Sequence, residues 1–185
     1  MEQFTEYLNL IGSLGVIILQ IMSVLIIVAL LARRFSKQRR IHELSESILS
    51  IFSSHALLIG FLTALMSMII SLMYSDVIGY EPCKLCWVQR IFLYPQVVIF
   101  GLALWKKTRD SDIYCLFLSV IGAVIAGFHY YAQSFNPSAL PACDAAGGAS
   151  CAVRFFMEFG YVTIPLMSFT SFIFIILVII SARSK

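Results

Sequence analysis

The chain has 185 residues, of which 60% are hydrophobic and only 12% charged, with a formal net charge of +3. Soluble domains carry roughly 25% charged residues, so a mean hydropathy of +0.91 excludes a water-soluble globule and a disordered chain alike. So small a net charge gives no case for nucleic-acid binding, and where the charges fall matters more than their sum.

Crossing the hydrocarbon core of a bilayer takes about 20 apolar residues as a helix, and five stretches qualify. Residues 7–32 are uncharged throughout. A cleaved signal peptide is not expected here, because Glu2 and Glu6 stand where a basic n-region would, and no small-residue cleavage site precedes the basic run. That basic run holds Arg33, Arg34, Lys37, Arg39 and Arg40. After it, Ile41, Leu44, Ile48 and Ile51 recur at helical spacing. They fit either an interfacial helix or an extension of the second span.

The second uncharged stretch covers residues 47–75 and is most apolar over 55–74; His42 and His55 near its start attract no functional role. The third, 86–105, is broken only by Arg90, and Lys106, Lys107 and Arg109 follow it. The fourth is 113–131, the fifth 159–182, and Arg183 and Lys185 come last. Short loops rich in Lys and Arg stay cytoplasmic. In a five-span chain only Lys84, Arg90 and Arg154 of the 13 basic residues fall on the other side. The N-terminus is therefore expected outside and the C-terminus inside, with outer loops at 75–84 and 132–160.

Four of the five cysteines then land outside. Cys83 and Cys86 form a Cys-x-x-Cys pair where the third span begins, and Cys143 and Cys151 lie in the long outer loop. Cys115, alone near the inner end of the fourth span, reads as a small buried hydrophobe. Outside a cytoplasm disulfides persist, so the two pairs read as disulfides or redox couples. Pro82 suits an early helical position, and the positive end of the helix stabilises a thiolate on Cys83 or Cys86. Spacing and placement together favour redox chemistry over a structural clamp. The first pair has zinc-like spacing, but the second is too widely separated for a zinc half-site, so no metal is expected.

Arg90 lies one turn below Cys86 on the same face. Either it snorkels to the interface, or its charge supports a Cys86 thiolate or a bound anionic species; Trp87 and Gln89 flank it. Pro95 lies within the same helix and can kink it. His129, near the outer end of the fourth span with Tyr130, Tyr131 and Gln133, is either an interfacial histidine or one that hydrogen-bonds a ligand. Two prolines and two glycines make the loop around Cys143 and Cys151 irregular. Beyond it Phe155, Phe156 and Phe159 fit a membrane-surface anchor.

At Pro82-Cys83-Lys84-Leu85-Cys86-Trp87-Val88-Gln89-Arg90 the sequence resembles the bacterial disulfide bond formation protein B family (DsbB, with the related BdbC proteins). That family pairs Cys-x-x-Cys and Gln/Glu-Arg at the outer start of a membrane helix with a second cysteine pair in the following outer loop. Relatives of vitamin K epoxide reductase carry the loop pair before the Cys-x-x-Cys, not after it.

The resemblance covers about residues 54–182. It implies a four-helix redox bundle over 54–185 in a bacterial cytoplasmic (inner) membrane, reoxidising a DsbA-like thioredoxin-fold oxidase and passing electrons to ubiquinone or menaquinone. By position, Cys143 would form the mixed disulfide with the partner and Cys151 would connect to Cys83. Cys86 would face the quinone, with Arg90, Gln89 and His129 beside it. Residues 1–53 depart from the pattern by adding a fifth, N-terminal span. A membrane protein with purely structural disulfides and an epoxide-reductase-like redox protein are the competing readings.

Overall fold

The computed structural model describes residues 2–35, 38–140 and 150–183. Cys143 and the rest of 141–149 lie outside the described residues. The fold is all-helical, in the order α1 (Glu2–Phe35), α2 (Arg39–Ser54), α3 (Ala56–Leu72), α4 (Lys84–Lys106), α5 (Asp112–Phe135) and α6 (Ile164–Arg183). α3 runs on into a π-helical turn, Met73–Val77, and a short 3-10 turn covers Pro137–Ala139. Among the described residues no strand forms beyond a single bridge between Glu158 and Val162. Five helices are long and apolar enough to cross a membrane: α1, α3 with its π-turn, α4, α5 and α6.

Helices α3 to α6 make a four-helix bundle, and α1 with α2 pack onto it mainly through α6. The bundle core joins Ala64, Leu93, Phe100, Cys115, Ala123, Phe172 and Ile175. Cys115 is fully buried there. Close approach sets the α5–α6 contact: a Cβ on Gly122 would stand 2.4 Å from the Phe172 ring. A second cluster, with Ile26, Leu49, Phe52, Phe174 and Val178, seats α1 and α2 on α6. A third joins Leu8 and Val16 of α1 to Tyr74, Val162, Leu166 and Met167.

The chain breaks between α2 and α3 at His55, whose φ of −110° and ψ of 17° leave the helical region. α2 is thus a helix in its own right. Its packed face is Leu49 and Phe52, whereas Ile41, Leu44 and Ile51 stay exposed. Of the stripe visible in the sequence, only Ile48 packs inward. Arg109 donates to the Ser53 carbonyl, which ties the α4–α5 turn to the end of α2. The basic segments thereby gather at one end of the bundle and the start of α4, with its cysteines, at the other.

Candidate redox site

Cys83 is the N-cap of α4. Its extended backbone (φ −69°, ψ 169°) lets the sulfur accept the Cys86 N–H, one of the donors a helix start leaves unpaired. The Cys-x-x-Cys spacing returns the chain by one turn, so Cys83 Sγ and Cys86 Sγ lie 2.8 Å apart. Cys83 is buried and Cys86 partly so. The Cys83 thiol is pushed up to about 12, first by its hydrogen bond to Cys86 and then by burial. Both effects favour the thiol over the thiolate at Cys83.

The loop cysteine comes to the same place. The sulfurs of Cys83 and Cys151 and a ring nitrogen of His129 lie within 4.8 Å of one another, all three residues buried. His129 projects from α5 at their centre. Its Nε2 lies 3.0 Å from the Cys151 carbonyl and 4.0 Å from Cys83 Sγ. Since the carbonyl can only accept, Nε2 carries the proton, and Nδ1 takes the Gln89 amide at 3.0 Å. Gln133, one turn further along α5, donates to the carbonyls of Cys151 (3.4 Å) and Val153 (2.9 Å). Arg154 donates back to the Gln133 carbonyl at 2.6 Å.

Cys83, His129 and Cys151 have the donor types of a metal site. The Cys151 carbonyl takes the proton on Nε2, however, and the Gln89 amide takes Nδ1, so both ring nitrogens already have partners. The arrangement suits sulfur–sulfur exchange: Cys83 Sγ is 2.8 Å from Cys86 Sγ and within 4.8 Å of Cys151 Sγ.

Cys86 opens on a cavity of about 370 Å³, within the range of small-molecule sites. Gln89, Arg90 and Leu93 share its wall on α4, and Ser71 and Tyr74 face them from α3 and its π-turn. Arg90 Nη2 donates to the Ser71 carbonyl at 3.0 Å, and its guanidinium lies 5.2 Å from the centre of the Trp87 ring. It is therefore held over the cavity between α3 and α4. Pro95 lies within α4, which continues through it. The Tyr74 hydroxyl is buried without a hydrogen-bond partner among the described residues. The walls combine mainly apolar side chains with the hydroxyls of Thr63, Ser67, Ser168 and Ser171 and, beside Cys86, Gln89 and Arg90, so a flat, lipid-soluble ring with polar oxygens fits them.

Cys83, Cys86, Gln89, Arg90, His129 and Cys151 thus converge at one end of the bundle. Sequence reasoning missed Ser71, Tyr74 and Arg154, and mentioned Gln133 only in passing. It placed Phe155 and Phe156 at a membrane surface. They turn inward instead: Phe155 stacks on Tyr80 at 4.3 Å, and Phe156 meets Tyr74 at 5.4 Å. Tyr80 also stacks on Tyr74 at 5.9 Å, so the aromatics join the two loops over the site. Phe159 stays exposed in a tight turn, where it and Gly160 both have positive φ (52° and 76°).

Comparison with known proteins fits this geometry. The family model of disulfide bond formation protein DsbB matches residues 53–182. The probable disulfide formation protein C of Halalkalibacterium halodurans is 41% identical over 118 residues, covering 63% of this chain and 84% of that protein. Disulfide bond formation protein C of Bacillus subtilis is 35% identical over 119 residues, 64% of this chain and 85% of its own. A prophage-derived disulfide bond formation protein B from the same organism is 44% identical over 102 residues, 55% and 68% of the two chains. No solved structure matches significantly. α1 and nearly all of α2 lie outside the matched segment. From α3 onward, with its cysteine motif capping α4, the chain belongs to the DsbB family of membrane proteins of disulfide bond formation.

Proposed function

We propose that the protein is a membrane dithiol:quinone oxidoreductase that reoxidises a thioredoxin-fold oxidase on the extracytoplasmic side of a bacterial cytoplasmic membrane. Residues 54–185 form its redox domain, and residues 1–53 are an addition to it. One observation carries the reading: Cys83 Sγ lies 2.8 Å from Cys86 Sγ and within 4.8 Å of Cys151 Sγ, and Cys86 opens on a largely apolar cavity beside Arg90.

A thiolate of the reduced partner attacks Cys143 of a Cys143–Cys151 disulfide, releasing the Cys151 thiolate. The partner's second thiol closes the partner disulfide and frees Cys143. Cys151 attacks Cys83 Sγ in the Cys83–Cys86 disulfide, and Cys86 leaves as a thiolate. Cys143 then attacks Cys151, restoring the loop disulfide and leaving Cys83 and Cys86 reduced. A quinone, when bound, supplies the sink for the two electrons and two protons of that pair, whose disulfide re-forms. Directionality follows from potentials: a strong dithiol oxidant lies near −120 mV, so its regeneration needs a high-potential acceptor, and a lipid-soluble one explains the membrane location. Among this chain's residues, Arg90 and Gln89 bind and orient at the cavity wall, and His129 holds Cys151 against Cys83.

The test is purified protein in lipid nanodiscs, a reduced thioredoxin-fold dithiol, and ubiquinone or menaquinone. One quinone reduced per partner disulfide formed is expected, with loss of turnover in Cys83→Ser, Cys86→Ser and Cys151→Ser. Variants that lower stability while no electrons flow in the parent protein would instead establish structural disulfides.

A further inference from the structure

The cavity beside Cys86 is not enclosed by the family-matched helices alone. Gly12, Gly15, Val16 and Leu19 of α1 form one of its walls, opposite Leu62 and Met66 of α3. α1 packs on α6 and α2, and α3 packs on α4 and α6, with no comparable packing between α1 and α3. The cavity lies in that gap, with α6 behind it. α1 is also fixed in place: Tyr161 Oη donates to Gln20 Oε1 at 2.9 Å, and Gln20 Nε2 donates to Thr170 Oγ1 at 3.4 Å.

Two glycines one turn apart shape this wall differently. A Cβ on Gly12 would come within 2.7 Å of Met167 Cε and 3.5 Å of the Tyr74 hydroxyl, so α1 presses against the bundle there. A Cβ on Gly15 would meet nothing within 4 Å. Gly15 is exposed and lines the cavity, so it notches the wall at the mouth. The Tyr74 hydroxyl supplies a second, independent sign of a ligand. Tyr74 is 3% exposed, lines the cavity, and has no partner for its O–H among the described residues. A buried hydroxyl left without a partner is unfavourable, and a bound acceptor relieves it.

We infer that α1 is a wall of the quinone site: an isoprenoid quinone lies with its ring beside Cys86, one ring oxygen accepting from Tyr74, and its tail leaves between α1 and α3 past Gly15. This rests on the dithiol:quinone reading and adds to it a binding element outside the matched segment. Leu62, Met66, Val16 and Leu19 give the tail an apolar passage. The ring keeps the polar end, where Arg90 and Gln89 stand.

The test uses the full chain in nanodiscs and measures equilibrium Kd for long-tailed and short-tailed quinones of one ring type. Gly15→Leu fills the notch and is expected to raise the long-tail to short-tail Kd ratio by about tenfold, one decade of affinity. Tyr74→Phe is expected to raise both Kd values together by about three- to tenfold, as for one lost hydrogen bond. Ile21→Leu, exposed on α1 and absent from the cavity lining, is expected to leave the ratio unchanged. Should Gly15→Leu fold poorly, a quinone with a photoreactive tail reports on the unaltered protein, with crosslinks expected between Gly12 and Leu19. Crosslinks confined to other helices, or an unchanged Kd ratio in well-folded Gly15→Leu, overturn the inference. No quinone binding by the unaltered protein defeats the dithiol:quinone reading itself.

Discussion

His129 Nε2 donates to the backbone carbonyl of Cys151 across 3.0 Å, so a side chain of α5 holds the loop cysteine beside Cys83. Removing it leaves the Gln89 amide unpaired, at about 1–3 kcal/mol, and leaves the Cys151 carbonyl only the longer bond from Gln133 at 3.4 Å. His129→Ala is expected to cut the yield of a trapped Cys83–Cys151 disulfide in a Cys86→Ser, Cys143→Ser background. His129→Gln, which can still donate to the carbonyl, should recover part of it. Mass spectrometry of non-reduced peptides reads the yield, and an undiminished yield in His129→Ala would show that the loop is held without the imidazole.

A second prediction concerns pH. With the Cys83 thiol pushed up to about 12 by Cys86 and by burial, the folded reduced protein keeps a proton that the unfolded chain loses above about 8.5. Stability of the reduced form is therefore unaffected by this group below about pH 8.5 and declines as pH rises above it. Alkylation of Cys83 should likewise keep accelerating with pH, without a plateau, to the top of a series ending near pH 10. Cys86→Ala removes the leading cause and should move the alkylation midpoint down. A Cys83 plateau near neutral pH in the unaltered protein contradicts the assignment.

Arg90 yields a third. Its donation to the Ser71 carbonyl at 3.0 Å joins α3 to α4 over the cavity, with the rest of the guanidinium free to face a ligand. Arg90→Met is expected to raise the quinone Kd by about tenfold or more, as for one charge-assisted hydrogen bond. Arg90→Lys should restore only part, since a point charge replaces a flat multidentate donor. Titration calorimetry of both variants decides, and an unaltered Kd in Arg90→Met reduces the arginine to a brace between two helices.

Sidedness is the fourth. Basic loops resist translocation, so a membrane-impermeant thiol reagent applied to intact, reduced cells should label Cys143 or Cys151. It should spare a cysteine introduced as Asp110→Cys, in the exposed turn between α4 and α5. The reverse pattern inverts the topology and places the relay on the wrong side for disulfide formation.

Much of this was legible in the residues. Length and hydropathy suffice for five spans, because a bilayer fixes how much apolar helix is needed. Covalent spacing is enough to bring Cys86 and Arg90 to one helix face. Other features needed tertiary structure. Tyr74 points into the cavity from a π-helical turn at Met73–Val77, and one extra residue in a single turn leaves no periodic trace. Phe155 and Phe156 face inward because Tyr80 and Tyr74 receive them, a pairing between two loops that hydropathy does not encode. Whether a glycine such as Gly12 or Gly15 marks contact or vacancy depends on the helix opposite.

α6 packs against all five other helices, and it follows them in chain order. During synthesis the earlier helices can associate only as α1 with α2 and as α3 with α4 and α5, since α2 and α3 share few contacts. Membrane insertion of α6 is thus the assembly step that joins the two groups. The same step creates the wall behind the cavity and anchors the segment carrying Cys151. The cavity beside Cys86 is consequently incomplete in every nascent chain until its final helix is in place.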